Sequence, residues 1–468
     1  MSTYELGRQP FGLASPAAWL RRAGAEVRCF DLAAEALDQE AIRSADIVAF
    51  YLPMHTATRI AAPLMERIKR LNPSAHLCAY GLYAPMNESL LRALGVSTVI
   101  GGEFEEALVD LVEGQREHTG RSGPVFPDDE RRTAQHRRPH PVSVAGETVV
   151  SLGRQRFELP DRTGLPGLDQ YAHVHVAPGD TRVVGYTEAT RGCKHLCRHC
   201  PVVPVYGGRF RVVQHDVVIG DIAQQVEVGA RHITFGDPDF LNAPGHAVAL
   251  VRELHRRWPG LTYDVTIKVQ HLLERPEVVG LLKDTGCLFV TSAIESIDDD
   301  VLRLLDKGHT RADLYRVVSL FENAALTLNP TFVTFTPWIT LEGYRDLLST
   351  VRELKLIPNV SPIQYAIRLL IPAGSKLLEL PSVQQLIGDF DADALAYPWA
   401  HPDPHVDELH LEVLEVAGRA GDDRYATWES IWDLANDALG DGRKRLPRPG
   451  KAFAREVRQR ATIPYLTE

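Results

Sequence analysis

Three of the six cysteines fall within one short loop, and this spacing constrains the fold more than any other feature of the chain. Cys193, Cys197 and Cys200 are spaced Cys-x3-Cys-x2-Cys and follow a strand-like run over residues 182–187. Three thiolates on one loop can bind three irons of a four-iron, four-sulfur cluster. The fourth iron then lacks a protein ligand and can bind a small molecule, as an open catalytic metal position does.

A structural zinc site is the alternative interpretation of the same cysteines. His195 or His199 could complete a Cys3His set, which is common for zinc. Zinc modules usually carry a second ligand pair further along the chain, and none follows here. The cluster is therefore favoured, and the zinc site stays as the alternative.

The composition excludes several classes of protein. A length of 468 residues favours two or three domains. A net charge of -10 gives no general attraction to nucleic acid or to an anionic membrane. The absence of a long apolar run and of a signal segment predicts a cytoplasmic protein without membrane contact. Cys29, Cys78 and Cys287 stand singly in apolar surroundings, which indicates buried thiols in a reducing compartment.

Residues 1–115 alternate short apolar runs with helical patterns, which predicts a Rossmann-like domain with a parallel sheet. The first strand must be short, because Gly7 and Pro10 interrupt the chain soon after Met1. Ligands of such sheets bind outside the carboxyl ends of the strands, so the loops there would line one crevice. The predicted elements are strands over 26–30, 46–51, 76–80 and 97–100 and helices over 56–71 and 88–94.

Residues 116–181 are expected to form a linker. The stretch 115–143 is rich in Arg, His, Asp, Gly and Pro and has no periodicity. Two apolar runs, residues 147–152 and 156–159, predict a short hairpin around Gly153. The role of this segment does not follow from its residues.

Residues 182–375 repeat strand and helix patterns about six times, which favours a parallel barrel. Residues 376–468 contain helical patterns at 406–420 and 428–439 that would cover the barrel. Basic residues between Arg443 and Arg460 are expected to be a solvated helix surface and not an RNA site. The chain is therefore predicted to be an α/β protein with a helical C-terminal segment.

The cysteine loop and the motifs that follow it resemble the radical S-adenosylmethionine (SAM) superfamily. The resemblance implies a partial (β/α)6 barrel with a [4Fe–4S] cluster at its mouth, SAM bound at the open iron, and a small-molecule substrate. It also implies a flavodoxin-type or ferredoxin-type electron donor. One electron from the reduced cluster then breaks a carbon–sulfur bond of SAM.

The second barrel strand is followed by Gly236-Asp237-Pro238-Asp239, where the family receives the amino group of SAM. Asp237 is the first candidate for this contact and Asp239 the second, although Gly, Asp and Pro would also build a simple turn. Lys268 stands in an apolar run expected to be a strand. A lysine that faces the barrel interior needs a partner, and a cofactor carboxylate would serve.

The element that begins at Ser292 resembles the family's fourth-strand motif, and it makes Ser292 and Glu295 candidates for contact with the ribose and methionine parts of SAM. His199 takes the place of the aromatic residue that usually precedes the last cluster cysteine, near the adenine. Arg368, in an apolar strand, is a candidate anion clamp. No catalytic residue beyond these contacts is assigned.

The N-terminal domain resembles the cobalamin-binding domains of many radical SAM enzymes. The resemblance rests on Phe11-Gly12-Leu13, Leu20 and Gly24-Ala25-Glu26-Val27. The Asp-x-His-x-x-Gly signature that supplies a histidine to cobalt is absent, although domains of this family often lack it. Cobalamin binding therefore stays open, the alternative being a domain kept for its shape and interface.

Residues 200–210 and 236–242 are similar to the CUAEP/CCAEP-tail radical SAM subgroup, named for a tail that contains cysteine or selenocysteine. Some members transfer the aminocarboxypropyl group of SAM to arsenite in arsinothricin biosynthesis. Here no cysteine follows Cys287, which argues against arsenite as the substrate.

The predicted function is reductive cleavage of SAM with transfer or activation of a carbon group on a small molecule in specialised metabolism. Methyl transfer is expected if cobalamin binds, and aminocarboxypropyl transfer if it does not. The alternatives are a non-catalytic iron–sulfur or zinc sensor and a tRNA-modifying methylthiotransferase. The latter would need more cluster cysteines than Cys29 and Cys78 in the N-terminal domain.

Overall fold

The computed structural model describes residues 1–119, 148–421, 423–440, 450, 453–455 and 465–466. Within these ranges the chain forms a four-stranded parallel sheet and a seven-stranded, mainly parallel sheet, both flanked by helices, as the α/β prediction requires. The helices are α1 (Phe11–Arg22), α2 (Gln39–Ser44), α3 (His55–Leu71), α4 (Glu88–Ala93), α5 (Glu105–Thr119), α6 (Val202–Tyr206), α7 (His215–Glu227), α8 (Pro244–Arg257), α9 (Val269–Glu274), α10 (Glu277–Asp284), α11 (Asp299–Leu304), α12 (Arg311–Ala324), α13 (Leu341–Glu353), α14 (Pro381–Gln384), α15 (Pro404–Gly418) and α16 (Arg424–Asp437).

The N-terminal sheet has four parallel strands in the order of the chain. Its first three strands and the helices α3 and α4 lie where the apolar patterns predicted them. The strands are β1 (Ile47–Tyr51), β2 (His76–Tyr80), β3 (Thr98–Gly102) and β4 (Thr148–Ser151).

The two strands predicted earliest in the chain are reduced to a single bridge between Ser2 and Asp31. The Met1 ammonium donates a hydrogen bond to the Ala49 carbonyl oxygen (2.7 Å), and the Tyr51 N–H donates one to the Met1 carbonyl oxygen (2.8 Å). The first residues therefore lie beside β1, but too few of them are available to make a ladder.

The predicted hairpin at residues 147–152 and 156–159 is not formed. Residues Thr148–Ser151 are β4, which pairs in parallel with β3, and residues 156–159 have no regular structure. A short apolar run cannot by itself reveal its partner, and here the partner is a strand about fifty residues earlier. Part of the segment expected to be a linker thus completes the N-terminal sheet, while residues 120–147 lie outside the described residues.

The larger sheet has seven strands in the order β12-β11-β10-β9-β6-β5-β13. Its five strands β6, β9, β10, β11 and β12 are parallel, while β5 and β13 are antiparallel to their neighbours. The strands are β5 (His173–Ala177), β6 (Asp180–Thr187), β9 (His232–Phe235), β10 (Thr262–Thr266), β11 (Cys287–Glu295), β12 (Thr327–Phe332) and β13 (Tyr465–Leu466).

The sixth barrel strand of the prediction is reduced to one parallel bridge between Phe335 and Arg368. Pro372, which lacks an N–H, follows within a few residues and cannot donate to a longer ladder. The sheet is therefore a curled half-barrel with one open side. Two short antiparallel strands, β7 (Thr190–Gly192) and β8 (Phe210–Val212), flank the three clustered cysteines.

The C-terminal helices α15 and α16 pack on the barrel, as their patterns predicted. Trp428 and Trp432 are fully buried on α16, with ring centroids 5.2 Å apart, and belong to the same hydrophobic core as the barrel strands. Among the described helices, none combines the length and the apolar character needed to cross a membrane.

Candidate functional site

The three clustered cysteines lie on one connection, residues 193–200, which we call the cluster loop. This loop joins β7 to α6, so a strand precedes it and a helix follows it. Cys197 is buried, Cys193 and Cys200 are half-buried, and none of the three forms a disulfide. All three thiols are therefore available to bind a metal centre.

Gly192 makes the turn into the cluster loop, and only glycine fits there. Its φ is +76°, a left-handed conformation that side chains rarely adopt. A Cβ at this position would lie 2.4 Å from the ring of Tyr206 and 2.5 Å from the carbonyl oxygen of Arg209. The first cysteine is therefore placed by close packing between β7 and α6.

Two buried lysines face the cluster loop. Burial raises the pKa of the Cys193 thiol to about 11 and that of Cys200 to about 12. The charge of Lys268 lowers the pKa of Cys193 and that of Lys307 lowers the pKa of Cys200, so both favour the thiolates. Three thiols on one loop, with cations to offset the charge of an anionic cluster, fit a [4Fe–4S] centre.

Asp237, the first candidate for the SAM amino group, is engaged by the protein on both carboxylate oxygens. It accepts hydrogen bonds from the Ala189 N–H (2.9 Å) and from the Thr190 hydroxyl (2.6 Å). Burial raises its pKa to about 7. These bonds tie the end of β9 to the segment that leads into the cluster loop. Next to it, Gly236 leaves room for Tyr186, whose hydroxyl lies 1.8 Å from where a Cβ would be.

Asp239, the second candidate, keeps one oxygen free. Its Oδ1 accepts a hydrogen bond from the Leu241 N–H (3.1 Å), whereas its buried Oδ2 has no hydrogen-bond partner. The nearest polar atom is Nδ1 of His271 at 2.8 Å, which is out of line for a hydrogen bond and is itself without a partner. Buried polar atoms without partners are rare, and such a pair indicates a place for a ligand.

His195, in the cluster loop, lies on the other side of His271. The Nε2 atoms of the two rings are 3.3 Å apart, and His195 Nε2 is 3.8 Å from Asp239 Oδ2. Burial and the charge of Lys268 lower the pKa of His195 to about 4, so the ring is neutral at pH 7. The ligand atoms of His195, Asp239 and His271 lie within 4.8 Å of one another, a spacing that could also hold a metal ion.

Lys268 lies after β10 and not within a strand. The strand ends at Thr266, and Lys268 is the residue from which α9 begins. Its side chain is buried and forms no ion pair or hydrogen bond with the rest of the described chain. An ammonium without a protein partner, on a side chain that is only 9% exposed and lies beside the cluster loop, favours an anionic ligand.

Glu295 ends β11 in a strained conformation and joins His199 to Lys307. Its φ is +66°, next to a β-bulge, a combination that costs free energy in a non-glycine residue. Its Oε1 accepts hydrogen bonds from His199 Nε2 (3.0 Å) and Lys307 Nζ (3.3 Å). Burial alone would raise the pKa of Glu295, but Lys307 and His199 hold it at about 2. The bond to Glu295 engages only Nε2 of His199 and leaves its Nδ1 as the ring atom that could contact a ligand.

Besides His271 Nδ1, two further histidine nitrogens at this end of the barrel lack hydrogen-bond partners. His309 donates from Nε2 to the Ile294 carbonyl oxygen (3.1 Å), which leaves its buried Nδ1 free. Burial lowers the pKa of His309 to about 4, so this Nδ1 carries a lone pair at pH 7. The Nδ1 of His199 is likewise buried and without a partner.

Ser292 and Arg368 are engaged by protein groups. The Ser292 hydroxyl donates to the Ile267 carbonyl oxygen (2.8 Å). Arg368 forms an ion pair with Asp407 (2.7 Å) on α15, donates to the Trp399 carbonyl oxygen (2.8 Å) and stacks on the Trp399 ring. The structure thus brings together His199, Asp239 and Glu295 near the cysteines and directs Arg368 to the C-terminal helices.

His271, Lys307 and His309 were not selected from the sequence as site residues. Lys307-Gly308-His309 is a recognisable motif, so its two basic residues could have been proposed. His271 gave no signal, because a single histidine in a helical pattern is usually only part of the core.

Comparison with known proteins places the cysteine loop in a known family. Residues 187–354 match the model of the Radical SAM superfamily. A bacteriochlorophyllide d C-12(1)-methyltransferase of Chlorobaculum tepidum is 29% identical over 133 residues, which is 28% of this chain and 28% of that protein. The alignment therefore spans well under half of this relative's length.

Two solved structures share the fold over most of the chain. TsrM from Kitasatospora setae, a radical SAM methyltransferase with cobalamin and a [4Fe–4S] cluster bound, matches with a TM-score of 0.62 and 16% identity over 97% of each chain. OxsB, a cobalamin-dependent SAM radical enzyme with aqua-cobalamin bound, matches with a TM-score of 0.63 and 13% identity over 92% of this chain and 70% of that one. These matches confirm the predicted fold class. The cluster loop thus lies in a radical SAM domain, spanning residues 187–354, of the superfamily that binds a [4Fe–4S] cluster and SAM.

Proposed function

We propose that this protein is a radical SAM enzyme that cleaves SAM reductively and transfers a carbon group to a small molecule. The observation that carries the proposal is the buried Asp239 Oδ2, without a hydrogen-bond partner, beside an unpaired Lys268 and three free cysteines. Cys193, Cys197 and Cys200 would hold the [4Fe–4S] cluster, which when bound supplies the electron that breaks a carbon–sulfur bond of SAM.

Asp239 and Lys268 match the two charges of an amino acid. In this proposal the Asp239 carboxylate accepts hydrogen bonds from the SAM ammonium group, and the Lys268 ammonium pairs with the SAM carboxylate. Asp237 supports the site indirectly, because it holds Ala189 and Thr190 ahead of the cluster loop. Binding of the zwitterion would give Lys268 a carboxylate partner and would give Asp239 Oδ2 a hydrogen-bond donor in addition to its contact with His271.

His199, Glu295 and His309 are proposed to receive the nucleoside part of SAM. Glu295 remains ionised beside Lys307 and has acceptor capacity for hydroxyl groups. The free Nδ1 atoms of His199 and His309 can each accept one hydrogen bond from an N–H or O–H of the ligand. The neutral state of His309 keeps that lone pair available at pH 7.

The substrate is proposed to enter between the barrel and the N-terminal loop that contains Glu5 and Arg8. Glu5 Oε2 and Arg8 Nε are buried and have no hydrogen-bond partner, and the Arg8 guanidinium lies 5.4 Å from the centre of the Tyr186 ring. The nearby Glu188 adds to burial in raising the pKa of Glu5. Such a set favours a small molecule that carries polar or ionisable groups.

The transferred group is proposed to be methyl if cobalamin binds, since the bacteriochlorophyllide relative and TsrM are both named methyltransferases. Aminocarboxypropyl transfer is the second candidate and follows from the resemblance to the CUAEP/CCAEP-tail subgroup. The two differ in which carbon–sulfur bond of SAM breaks, so the nucleoside products distinguish them.

A flavodoxin-type or ferredoxin-type protein is the proposed electron donor. Lys194 and Leu196 of the cluster loop are exposed between the cysteines, with the side chain of Leu196 about half exposed. An apolar and basic contact at this loop would bring an acidic donor close to the cluster.

The test is an anaerobic incubation of iron-reconstituted protein with SAM and dithionite, with nucleoside products resolved by mass spectrometry. Deoxyadenosine or S-adenosylhomocysteine is expected for methyl transfer, and methylthioadenosine for aminocarboxypropyl transfer. Protein that carries four irons per chain and yields none of these products would overturn the proposal. Recovery of zinc in place of iron would support the zinc alternative.

A further inference from the structure

One arginine next to the cluster loop is held almost entirely by the N-terminal domain. The Arg191 guanidinium contacts the carboxylates of Glu105 (2.8 Å) and Glu103 (3.4 Å), which lie at the carboxyl end of β3 and the start of α5. It also contacts Glu188 (2.7 Å), and its exposed fraction is 6%. Buried ion pairs are costly to form and costlier to break, so this contact fixes geometry more than it adds stability.

Aromatic rings complete the enclosure of Arg191. Its guanidinium carbon lies 4.9 Å from the ring centres of Phe104 and Phe157 and 5.5 Å from that of Phe11. A planar guanidinium can stack on rings and bind several carboxylates at once, whereas a lysine ammonium cannot do both. The position is therefore built for arginine.

The same edge of the N-terminal sheet also holds the far end of the cluster loop. The Tyr206 hydroxyl, on α6, donates a hydrogen bond to Glu103 (3.1 Å). Val202 and Val205 of α6 pack with Leu82 and Leu152 of the N-terminal domain. Glu103 thus contacts both Arg191, two residues before the first cluster cysteine, and Tyr206, six residues after the last.

The carboxyl edge of the N-terminal sheet, where a Rossmann-like domain would bind its ligand, is filled by side chains of the chain itself. Tyr51, Tyr80 and Phe104 pack at tilted angles with ring centres 5.0 to 5.9 Å apart at the carboxyl ends of the strands. The Tyr80 hydroxyl donates to the Gly12 carbonyl oxygen (2.8 Å), and a Cβ on Gly12 would lie 2.1 Å from the Tyr51 ring.

Gly101 and His55, at the same edge, also contact other parts of the protein. A Cβ on Gly101 would lie 2.2 Å from the ring of Pro85, so this glycine is needed to admit protein and not a ligand. His55, which could have approached a ligand in the crevice, donates from Nε2 to the Ala394 carbonyl oxygen (2.6 Å) of the C-terminal region. The residues at this edge therefore do not fit a corrinoid.

We propose that the carboxyl edge of the N-terminal sheet is a clamp that positions the cluster loop through Arg191, and that the domain works without cobalamin. The inference rests on the proposed function, because it assigns the domain a role in that reaction. Arg191 is a positioning residue, since it acts through the loop that holds the cysteines and contacts no substrate.

The first test measures cobalamin binding by the full chain, with its cluster reconstituted. The protein is incubated with hydroxocobalamin, passed through a desalting column and assayed for cobalt and for the visible spectrum of the corrin. Cobalt far below one atom per chain, with SAM cleavage unchanged by added cobalamin, is expected. One cobalt per chain would overturn the inference even if SAM is cleaved, so its failure is distinct from failure of the proposed function.

The second test compares Arg191→Gln with Arg162→Gln. Arg162 is a matched control, because 10% of its side chain is exposed and it pairs with the buried Asp221 (2.9 Å), but it is not bonded to the cluster loop. Arg191→Gln is expected to bind iron yet to cleave SAM about 10- to 100-fold more slowly, as supporting residues of metal sites do when removed. The electron paramagnetic resonance signal of its reduced cluster should also change, while Arg162→Gln keeps the wild-type signal.

Tyr206→Phe is the milder variant if Arg191→Gln does not fold. It removes one hydrogen bond to Glu103 and keeps the ring that packs beside Gly192. A smaller change in the same spectroscopic signal is expected. Wild-type signal and wild-type cleavage in both Arg191→Gln and Tyr206→Phe would overturn the clamp.

Discussion

The two parallel sheets present the same kind of edge to each other but use it differently. At the carboxyl end of the half-barrel, Asp239, His199 and His309 keep buried polar atoms without hydrogen-bond partners. At the carboxyl end of the N-terminal sheet, Glu103 and Glu105 are both bound to Arg191. Fold rules assign a ligand crevice to both edges. The difference teaches that the polar groups at one edge are left for a ligand, whereas those at the other edge are used by the protein as an interface.

The largest effect should come from Cys197→Ala, at the half-barrel edge. Loss of one of three cluster thiols is expected to abolish bound iron and SAM cleavage, measured by iron and sulfide analysis and by product formation. Cys78→Ala is the control, because Cys78 is buried on β2 of the other sheet. Full iron content in Cys197→Ala would remove the basis for assigning the cluster to this loop.

Asp237 and Asp239 provide a direct test of the difference between engaged and free buried groups, because they lie only two residues apart. Asp239→Asn should weaken SAM binding by about 10-fold or more, roughly 1.4 kcal/mol, because a charged acceptor is lost. Asp237→Asn should instead lower the free energy of unfolding by about 1–3 kcal/mol, because its partners Ala189 and Thr190 lose a carboxylate. Isothermal titration and chemical denaturation separate the two effects. The reverse pattern would contradict the distinction between free and engaged groups.

Lys268→Met tests the same half-barrel edge by removing a cation, whereas Asp239→Asn removes an anion. Removal of a buried, unpaired ammonium is expected to raise the stability of the SAM-free protein by about 1 kcal/mol while it weakens SAM binding. Thermal unfolding with and without SAM measures both quantities. Lys376→Met, at an exposed ion pair with Glu379, is the matched control and should change neither by much. A less stable Lys268→Met protein would indicate that the protein itself supplies the lysine with a partner.

The smallest expected effect is on the pH dependence of stability, through Glu103 at the edge of the N-terminal sheet. Burial raises the pKa of Glu103 from 4.5 to about 7, although Arg191 opposes this. The unfolded chain therefore ionises first, and the stability associated with the neutral form is lost as pH rises from about 4.5 to 7. Glu103→Gln cannot ionise, so its stability should fall less between pH 5.5 and pH 8, by on the order of 1 kcal/mol. The pKa of Asp237 is also raised to about 7, so part of the loss of stability with rising pH should remain in Glu103→Gln.

A pH series of denaturant titrations on the cluster-free protein would measure this difference. Glu66→Gln, on the exposed face of α3, controls for the loss of a carboxylate in general. An unchanged slope in Glu103→Gln would mean that the Arg191 contact keeps Glu103 ionised throughout this range.

The sequence predicted the order of strands and helices well, because apolar periodicity reports which faces are buried. It could not predict that β4 returns to the N-terminal sheet, because a four-residue strand carries no information about its partner. This error concerns pairing between distant segments, which local patterns do not encode.

The site was predictable to the extent that it depends on spacing. Three cysteines on one loop and two aspartates in one turn can be read directly, and the structure brings them to one end of the barrel. Which aspartate is free could not be read, because Asp237 is engaged by Thr190, a residue 47 positions earlier. The clamp at Arg191 was equally hidden, since its three carboxylates come from two separate segments of the chain.

The left-handed backbone at Glu295 has a practical consequence for anyone who engineers this protein. A search for non-glycine residues with positive φ, made in order to raise thermal stability, would select Glu295 for replacement by glycine. Glycine adopts such angles without steric cost. The substitution would relieve the backbone strain at this position. It would also remove the carboxylate that joins His199 to Lys307. Thermal stability and catalytic activity therefore conflict at this one residue. A stabilised variant should be tested for turnover before it is used.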